Sequence, residues 1–481
     1  MHAADIPRAD LSVAQLAADL VPIVGADYVL TDDASLMTYE CDGATLYRAT
    51  PHVVVLPDTA QQVSEVVRYA NRVGAPFVAR GAGTGLSGGA MALAGGILIG
   101  LNRMDRILEI DIENERAVVE PGVVNLWITD RTTPDGYHYA PDPSSQKACT
   151  IGGNVAENSG GPHTLKYGVT VNHITGLEWV MPTGDIVNLG AAADDGVGYD
   201  IRGLVVGSEG TLGIATKIVV KLTPNPPAYK TMLAVFASLE DASTSVSEII
   251  GAGMIPSSLE VMDRLIIDAV EAAFHFGFPD DAQAVLIVEL DGVDAGMEEQ
   301  ASAIVDICKA NNARDVQVAA SEEERTLLWK SRKQAFGALG RLAKSYLTQD
   351  GVVPRTKLPE VLRTVADVSA KYDIRIANVF HAGDGNIHPI LLFDESDEEQ
   401  TERVLKASGE ILTKCVELGG TITGEHGIGI EKLGFMDLLF TPADLRIMRD
   451  VRSLFDPNGL CNPGKVFPGG IVGAEGTAAD G

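Results

Sequence analysis

The string Gly83-Thr84-Gly85-Leu86-Ser87-Gly88 limits what this chain can fold into more than any other feature. It leaves a strand-like run, PFVAR at 76–80, and has the spacing GxGxxG. A nicotinamide-dinucleotide site of that spacing needs a helix directly after the loop, because the helix N-terminus holds the pyrophosphate. Here GGAMALAGGILIGL follows, with no helical period and a second strand run at 95–101. Two readings compete with the dinucleotide fold. One is a loose surface loop; the other is a nest of backbone N–H groups around an anion, which glycine permits by having no Cβ. Arg80 adds positive charge at the mouth of such a nest.

Two more strings have the same character: PDPSSQKACTIGGNVAENSGG at 141–161 and GSEGTLGIATK at 207–217. One glycine loop is weak evidence, but three within a stretch of about 180 residues predict a cradle for a large polyphosphate cofactor. Around them the periodicities alternate between helix and strand. Residues 11–21 have helical apolar spacing, HVVVLP at 52–57 reads as a buried strand, and Val63, Val66, Val67, Ala70 and Val73 mark a helix begun at Asp58-Thr59 and stopped by Gly74. Strands are predicted at 106–113, 116–122, 174–181 and 185–190. TPNPPA at 223–228 reads as a linker. Beyond it come a helix near 241–252, a strand at 284–292, a long polar helix over 321–344 and a final helix near 442–455 that opens with a Thr441–Asp444 capping box.

With 481 residues, 46% of them hydrophobic, the chain predicts at least two cores. The net charge of −29 disfavours nucleic acid and anionic lipid as partners. Cys41, Cys149, Cys308, Cys415 and Cys461 form no CxxC, which excludes a zinc knuckle or iron–sulfur cluster held by this chain and fits a reducing compartment. No signal peptide or bilayer-length apolar run is visible, so a cytoplasmic protein is expected, or one held at the inner membrane through a partner.

The second half carries NVFHAGDGNIHPILLFD at 378–394. Asn378 to His381 reads as a strand, Asp384-Gly385 as a hairpin turn and Ile387 to Phe393 as the returning strand, which lets His381 and His388 face one centre. GGTITGEHGIGIEK at 419–432 offers Glu425 and His426. A single histidine is ordinarily a satisfied structural residue, but three of the nine here fall in two short glycine-rich strings. His381, His388 and Glu425 are the candidate metal ligands, for Zn, Mn or Fe.

RGAGTGLSGG, PDPSS…TIGGN…NSGG and GSEGTLGI together resemble the FAD-binding domain of the vanillyl-alcohol oxidase/p-cresol methylhydroxylase superfamily. FHAGDGNIH, GEHGIG and FDPNGLCNPGKVFP resemble the C-terminal domain of FAD-linked oxidases of the glycolate oxidase D-subunit, D-lactate dehydrogenase and D-2-hydroxyglutarate dehydrogenase group. The likeness runs from about residue 20 to 468. It implies an α+β chain: an N-terminal helical segment (1–46), a two-subdomain FAD-binding domain (47–226), an α+β substrate and metal domain with a helical C-terminal segment (227–468) and a disordered tail (469–481). It implies that Arg80, Gly81, Ala82, Gly83, Thr84, Gly85, Leu86, Ser87 and Gly88 hold the FAD pyrophosphate. Pro141, Asp142, Ser145, Thr150, Gly152, Gly153, Asn154, Ser159 and Gly161 line the flavin, Glu209, Gly213 and Ile214 reach the adenosine and ribityl portion, and Asn462 joins the cofactor set. Some members attach the flavin through a histidine in the first loop; this loop has none, so the FAD is expected to be non-covalent.

The activity so implied is oxidation of a small D-2-hydroxy acid, glycolate or D-lactate, with hydride passing to flavin N5 and a metal acidifying the hydroxyl. His426 is the expected general base, or else an orienter of the ligands. Arg332, after Trp329, is expected to pair the substrate carboxylate, unless it is a solvated helix arginine, and Asn386 to orient substrate. Tyr346-Leu347-Thr348-Gln349 lacks the lysine that the 2-hydroxyglutarate enzymes carry upstream of DGVVPRTKLPE, which favours a monocarboxylate. Electrons then leave to a quinone, a cytochrome, a carrier protein or a partner iron–sulfur subunit. A homodimer is compatible with the sequence. The rival readings are an NAD-dependent dehydrogenase, a D-2-hydroxyglutarate dehydrogenase and a non-catalytic flavin-binding subunit of a larger oxidase.

Overall fold

Thr59 accepts a hydrogen bond from the Gln62 amide and opens the helix Ala60–Val73; Gly74, with φ +69°, closes it. The apolar side of this helix and of Val13–Val24 packs on a four-stranded sheet through Leu16, Leu20, Val63, Val67, Val53, Phe77 and Ile97. The order in that sheet is Val29–Leu30, Val53–Val55, Ile97–Gly100, Phe77–Arg80, the last three strands parallel. A second, antiparallel sheet runs Ile107–Asp111, Arg116–Val119, Ile214–Lys221, Ile174–Val180, Ile186–Gly190. Trp179, Ile218, Ile128 and Ile151 meet in its own core. The computed structural model describes residues 9–191 and 198–468, so the tail expected at 469–481 lies outside the described residues.

The described chain forms two units. One takes the residues up to Ser159, Val169–Asn225 and those from Glu425 on; the other takes Gly160–Gly168 and Pro226–Gly424. This cuts across the linear division at 226/227 read from the proline-rich segment. The return of 425–468 to the first unit has a local cause. Glu209 accepts from the amides of Ile428 (2.7 Å) and Gly429 (2.6 Å), and the Lys465 ammonium donates to the carbonyls of Gly89 (3.1 Å) and Met91 (2.8 Å).

The second unit is built on one large antiparallel sheet. Its strand order is Ala313–Val318, Ala228–Phe236, Ala284–Gly292, Ser258–Asp263, Ile376–His381, Asn386–Ile387, Gly351–Val352, with Pro389–Phe393 and Ser345–Thr348 branching from it. Met262, Val285, Ile287, Val379, Ile266, Val270 and Leu339 form the core on one face; Val261, Leu286, Val288 and Phe380, of opposite parity, are also buried, so helices cover both faces. The expected polar helix over 321–344 is two helices, Glu322–Lys333 and Ala335–Leu339. Gln334 (φ −92°, ψ −2°) separates them, and Gly337 and Gly340 do not support a longer run. None of the five cysteines is in a disulfide, and no helix among the described residues is long and apolar enough to cross a membrane.

Candidate active site

In the first unit the glycine string forms an open loop, and no helix follows it before the strand at Ile97. Several glycines here are required by what lies behind them. A Cβ on Gly81 would sit 2.2 Å from the Thr150 hydroxyl, and one on Gly88, whose φ is +79°, would sit 2.6 Å from Ile430 Cγ1. Among the described residues, no amide from Gly83 to Gly89 donates a hydrogen bond to a protein acceptor. Ser87 Oγ is likewise buried without a partner. A run of backbone donors with nothing of the protein to bond is an anion cradle, and the residues present fit a diphosphate there.

Arg80 lies under this loop rather than at its mouth. It is buried, donates to the Cys41 carbonyl at 2.7 Å and stands over the Tyr39 ring. The string 141–161 is also less of a loop than its composition suggested. Pro141 and Asp142 lie in irregular chain and Ser145 in a turn, but Thr150 caps a helix, Ile151–Glu157, that contains Gly152 and Gly153. Glycine at 152 is set by packing, since a Cβ there would lie 2.6 Å from Pro121. Asn154 spends its amide on a buried knot with Asn125 and Ser159. Ser159 ends this piece of the first unit, and Gly161 belongs to the second.

Four residues of the expected cofactor set have structural surroundings of their own. The Glu209 carboxylate holds the Ile428 and Gly429 amides. The Asn462 amide donates to the carbonyls of Gly89 (3.0 Å) and Glu209 (2.8 Å). Gly213 is glycine because a Cβ would meet Trp179 Nε1 at 2.2 Å, and Ile214 begins the central strand of the second sheet. These residues shape the cradle from behind. Sequence reasoning missed Glu157: burial, then the nearby carboxylates of Glu209 and Asp42, push its carboxyl well above the ordinary range.

In the second unit a row of polar side chains crosses one face of the sheet. Glu289 pairs with Thr231 on one side and Ser258 on the other, and Glu260, two residues beyond Ser258, pairs with His381, which pairs with Asn386. The hairpin register, 381 with 386 and 378 with 389, sets His388 across from Val379, on the same face as His381. The two imidazoles are 5.2 Å apart, edge to face. Each uses Nδ1 on the protein: His381 on Glu260 Oε1 at 2.7 Å, His388 on the Gln349 carbonyl at 3.2 Å. A metal would therefore be taken at Nε2 of both, and imidazoles so oriented fit one when they are neutral.

Arg332 is not a solvated helix residue. It is 2% exposed, its Nε donates to Glu260 Oε2 at 2.6 Å, and Nη2 is buried with no partner. Because Nε is engaged, any anion is met at the end of the guanidinium. Burial pushes the Glu260 carboxyl up, but the charges and hydrogen bonds of His381 and Arg332 outweigh it and hold the group below its ordinary range. Asn386 is 2% exposed, with Oδ1 unpartnered. Thr423 Oγ1 and the Gly424 amide bond Asp350 at 2.6 and 3.1 Å, fixing the last residues of the second unit; Glu425 and His426 follow directly in the chain.

Residues 225–466 match the family described as FAD linked oxidases, C-terminal domain, and residues 51–190 match that described as FAD binding domain. The chain belongs to the FAD-linked oxidases. It is 47% identical over 440 residues to a protein named glycolate oxidase subunit GlcD of Escherichia coli strain K12, covering 92% of this chain and 88% of that one. It is 40% identical over 449 residues to the protein of the same name from Bacillus subtilis, covering 93% and 96%. With a protein named D-lactate dehydrogenase from Anaerostipes hadrus it shares 33% over 451 residues, covering 91% and 94%. Its fold is that of p-cresol methylhydroxylase solved with substrate bound, at a TM-score of 0.80, 18% identity and 96% and 98% coverage. The protein is thus an FAD-linked oxidoreductase with FAD as its cofactor. The superfamily resemblance and the two-domain FAD-binding fold expected from the motifs are both borne out.

Proposed function

We propose that this oxidoreductase converts a small 2-hydroxy acid, glycolate or D-lactate, to the 2-oxo acid. The observation that carries the reading is the polar row on the second unit's sheet, which sets two imidazoles beside a buried arginine with an unpartnered Nη2. Relatives named for glycolate and D-lactate point to the same class of acid.

In this reading Arg332 takes the substrate carboxylate through the end of its guanidinium, as a charge-assisted hydrogen bond. His381 and His388 hold a divalent metal, Zn, Mn or Fe, through Nε2, and Glu425, one residue beyond Gly424, is the third ligand. Such a metal, when bound, acidifies a chelated hydroxyl. His426 accepts the hydroxyl proton, and Asn386 orients the acid. FAD, held non-covalently on the amides of the glycine loop and the 141–161 strings, supplies the hydride acceptor when bound. Electrons pass on to a quinone, a cytochrome, a carrier protein or a partner subunit, an arrangement suited to a cytoplasmic enzyme docked at a membrane.

The test is anaerobic. The FAD- and metal-loaded protein is mixed separately with glycolate, D-lactate, L-lactate and D-2-hydroxyglutarate, and the visible flavin bands are followed. Bleaching by glycolate or D-lactate but not L-lactate is expected. A flavin spectrum that none of the acids changes rejects the reading.

A further inference from the structure

We propose that Glu260 is the positioning residue that joins acid recognition to metal ligation, one buried carboxylate fixing both the His381 ring and the Arg332 guanidinium. This rests on the reading of those two residues given above.

Glu260 is 0% exposed, in the middle of the strand Ser258–Asp263. The antiparallel register sets it opposite His381, which explains why the carboxylate meets Nδ1 without either side chain leaving the sheet. Its two oxygens serve two masters: Oε1 takes His381 Nδ1 at 2.7 Å, and Oε2 takes Arg332 Nε at 2.6 Å. Ser258 Oγ stands 3.4 Å from Oε1. A carboxylate has no proton to donate, so His381 must carry a proton at Nδ1, and its neutral ring then presents the lone pair at Nε2. By the same logic Arg332 is locked with Nε inward, and its unpartnered Nη2 is held in a single direction. A shift of Glu260 therefore moves the metal ligand and the acid-binding group together.

The isosteric amide separates this from mere packing. In Glu260→Gln one side of the side chain becomes a donor. If the amide oxygen stays on Arg332, the NH2 faces His381 Nδ1 and drives the ring to the Nε2–H tautomer, which cannot ligate a metal. If the oxygen stays on His381, the NH2 opposes the Arg332 Nε–H and turns the guanidinium. Either way one of the two functions fails.

The experiment compares native protein, Glu260→Gln and Glu260→Asp, each loaded with FAD and stripped of metal. Nitrogen-15 histidine NMR reads the His381 tautomer, its signal identified by loss in His381→Gln. Titration with Zn²⁺ alone reads metal affinity, and steady-state kinetics with glycolate read KM and kcat. Native protein is expected to show Nδ1–H. Glu260→Gln is expected either to lose that tautomer and bind Zn²⁺ at least about tenfold more weakly, or to keep it with KM raised at least about tenfold, flavin content being unchanged in both cases. Glu260→Asp keeps the charge with a shorter reach and is expected to retain Nδ1–H with a raised KM; it carries the test if the Gln variant does not fold. A native Nε2–H tautomer overturns the proposal, as does any folded variant that matches native protein in tautomer, Zn²⁺ affinity and KM. Native protein that shows Nδ1–H but binds no Zn²⁺ overturns the metal reading instead.

Discussion

Glu289 Oε2 lies 2.7 Å from the indole Nε1 of Trp329, at a point where the carboxylate is 0% exposed. The same carboxylate takes Arg325 Nε and Nη2 at 2.8 and 2.9 Å and Thr231 Oγ1 at 2.5 Å. Arg325, Trp329 and Arg332 stand on one stripe of the helix Glu322–Lys333, so Glu289 and Glu260 together hold a polar helix on the sheet.

Burial alone pushes the Glu289 carboxyl up, but hydrogen bonds from His163 and Arg325 and the Arg325 charge overcome it and hold it well below the carboxylate range. Its stabilising contribution is therefore complete above the unfolded value of about 4.3 and falls away as pH drops from there toward the folded value. Glu289→Gln should lower unfolding free energy at pH 7 by about 3–5 kcal/mol, the cost of stranding a buried partner. The gap to native protein should narrow between about pH 4.3 and 3 in urea melts. Parallel pH curves for the two proteins would refute this account.

Lys465 ties the C-terminal return to the glycine loop by donating to the carbonyls of Gly89 and Met91. Lys465→Met keeps the length of the stem and removes the donors. It should loosen the loop and weaken FAD binding by on the order of 2 kcal/mol, roughly thirtyfold, as read by release of fluorescent flavin on dilution. Unchanged flavin retention in a folded variant would show that the loop holds its shape without this tether.

Much of this was legible in the sequence, and what was not has physical causes. The helix Pro442–Phe455 with its capping box and the strand Ala284–Gly292 have the bounds their periodicity predicts, because cap and pattern agree. His381 and His388 were found by type and spacing, and the register confirms a shared face. Glu260 and Glu289 were missed, although each is an acid set among apolar residues of a strand, SLEVMD and AVLIVELDG. A charge in such a run signals a buried partner, but the partner is remote in sequence and cannot be named from it. The two glycines of TIGGN were read as loop because glycine hides helical period; the need for the first, Gly152, comes from Pro121, which approaches the helix closely. Glu209 and Asn462 sit in motifs that signal the cofactor, yet their side chains bond the backbone behind it.

Gly88→Ala tests the cradle directly. The added methyl meets two obstacles: φ of +79°, which disfavours any L side chain, and Ile430 Cγ1 at 2.6 Å. Ile430→Ala in the same protein removes the second and leaves the first. The single variant should purify largely without flavin, and the double variant should recover part of the yellow colour per mole of protein. Full flavin content in Gly88→Ala alone would mean that the loop does not need this backbone.

Metal removal separates the two cofactors, because the glycine-loop cradle and the two imidazoles belong to different units. The FAD cradle is built from Gly83 to Gly89 and its supports Glu209, Asn462 and Lys465, all in the first unit. The imidazoles stand on the sheet of the second, their Nδ1 atoms on Glu260 and Gln349. Dialysis against a strong chelator should therefore leave the visible flavin spectrum intact while glycolate ceases to bleach it. Adding back Zn²⁺, Mn²⁺ or Fe²⁺ one at a time should restore bleaching with the native metal, and His388→Ala should resist rescue by any of them. The expected loss on chelation is at least about a hundredfold in the rate of bleaching, on the order of 3 kcal/mol of barrier, since the hydroxyl then ionises without metal help. Chelated protein of verified metal content near zero that still bleaches at the native rate would leave His381 and His388 with a purely structural or acid–base role.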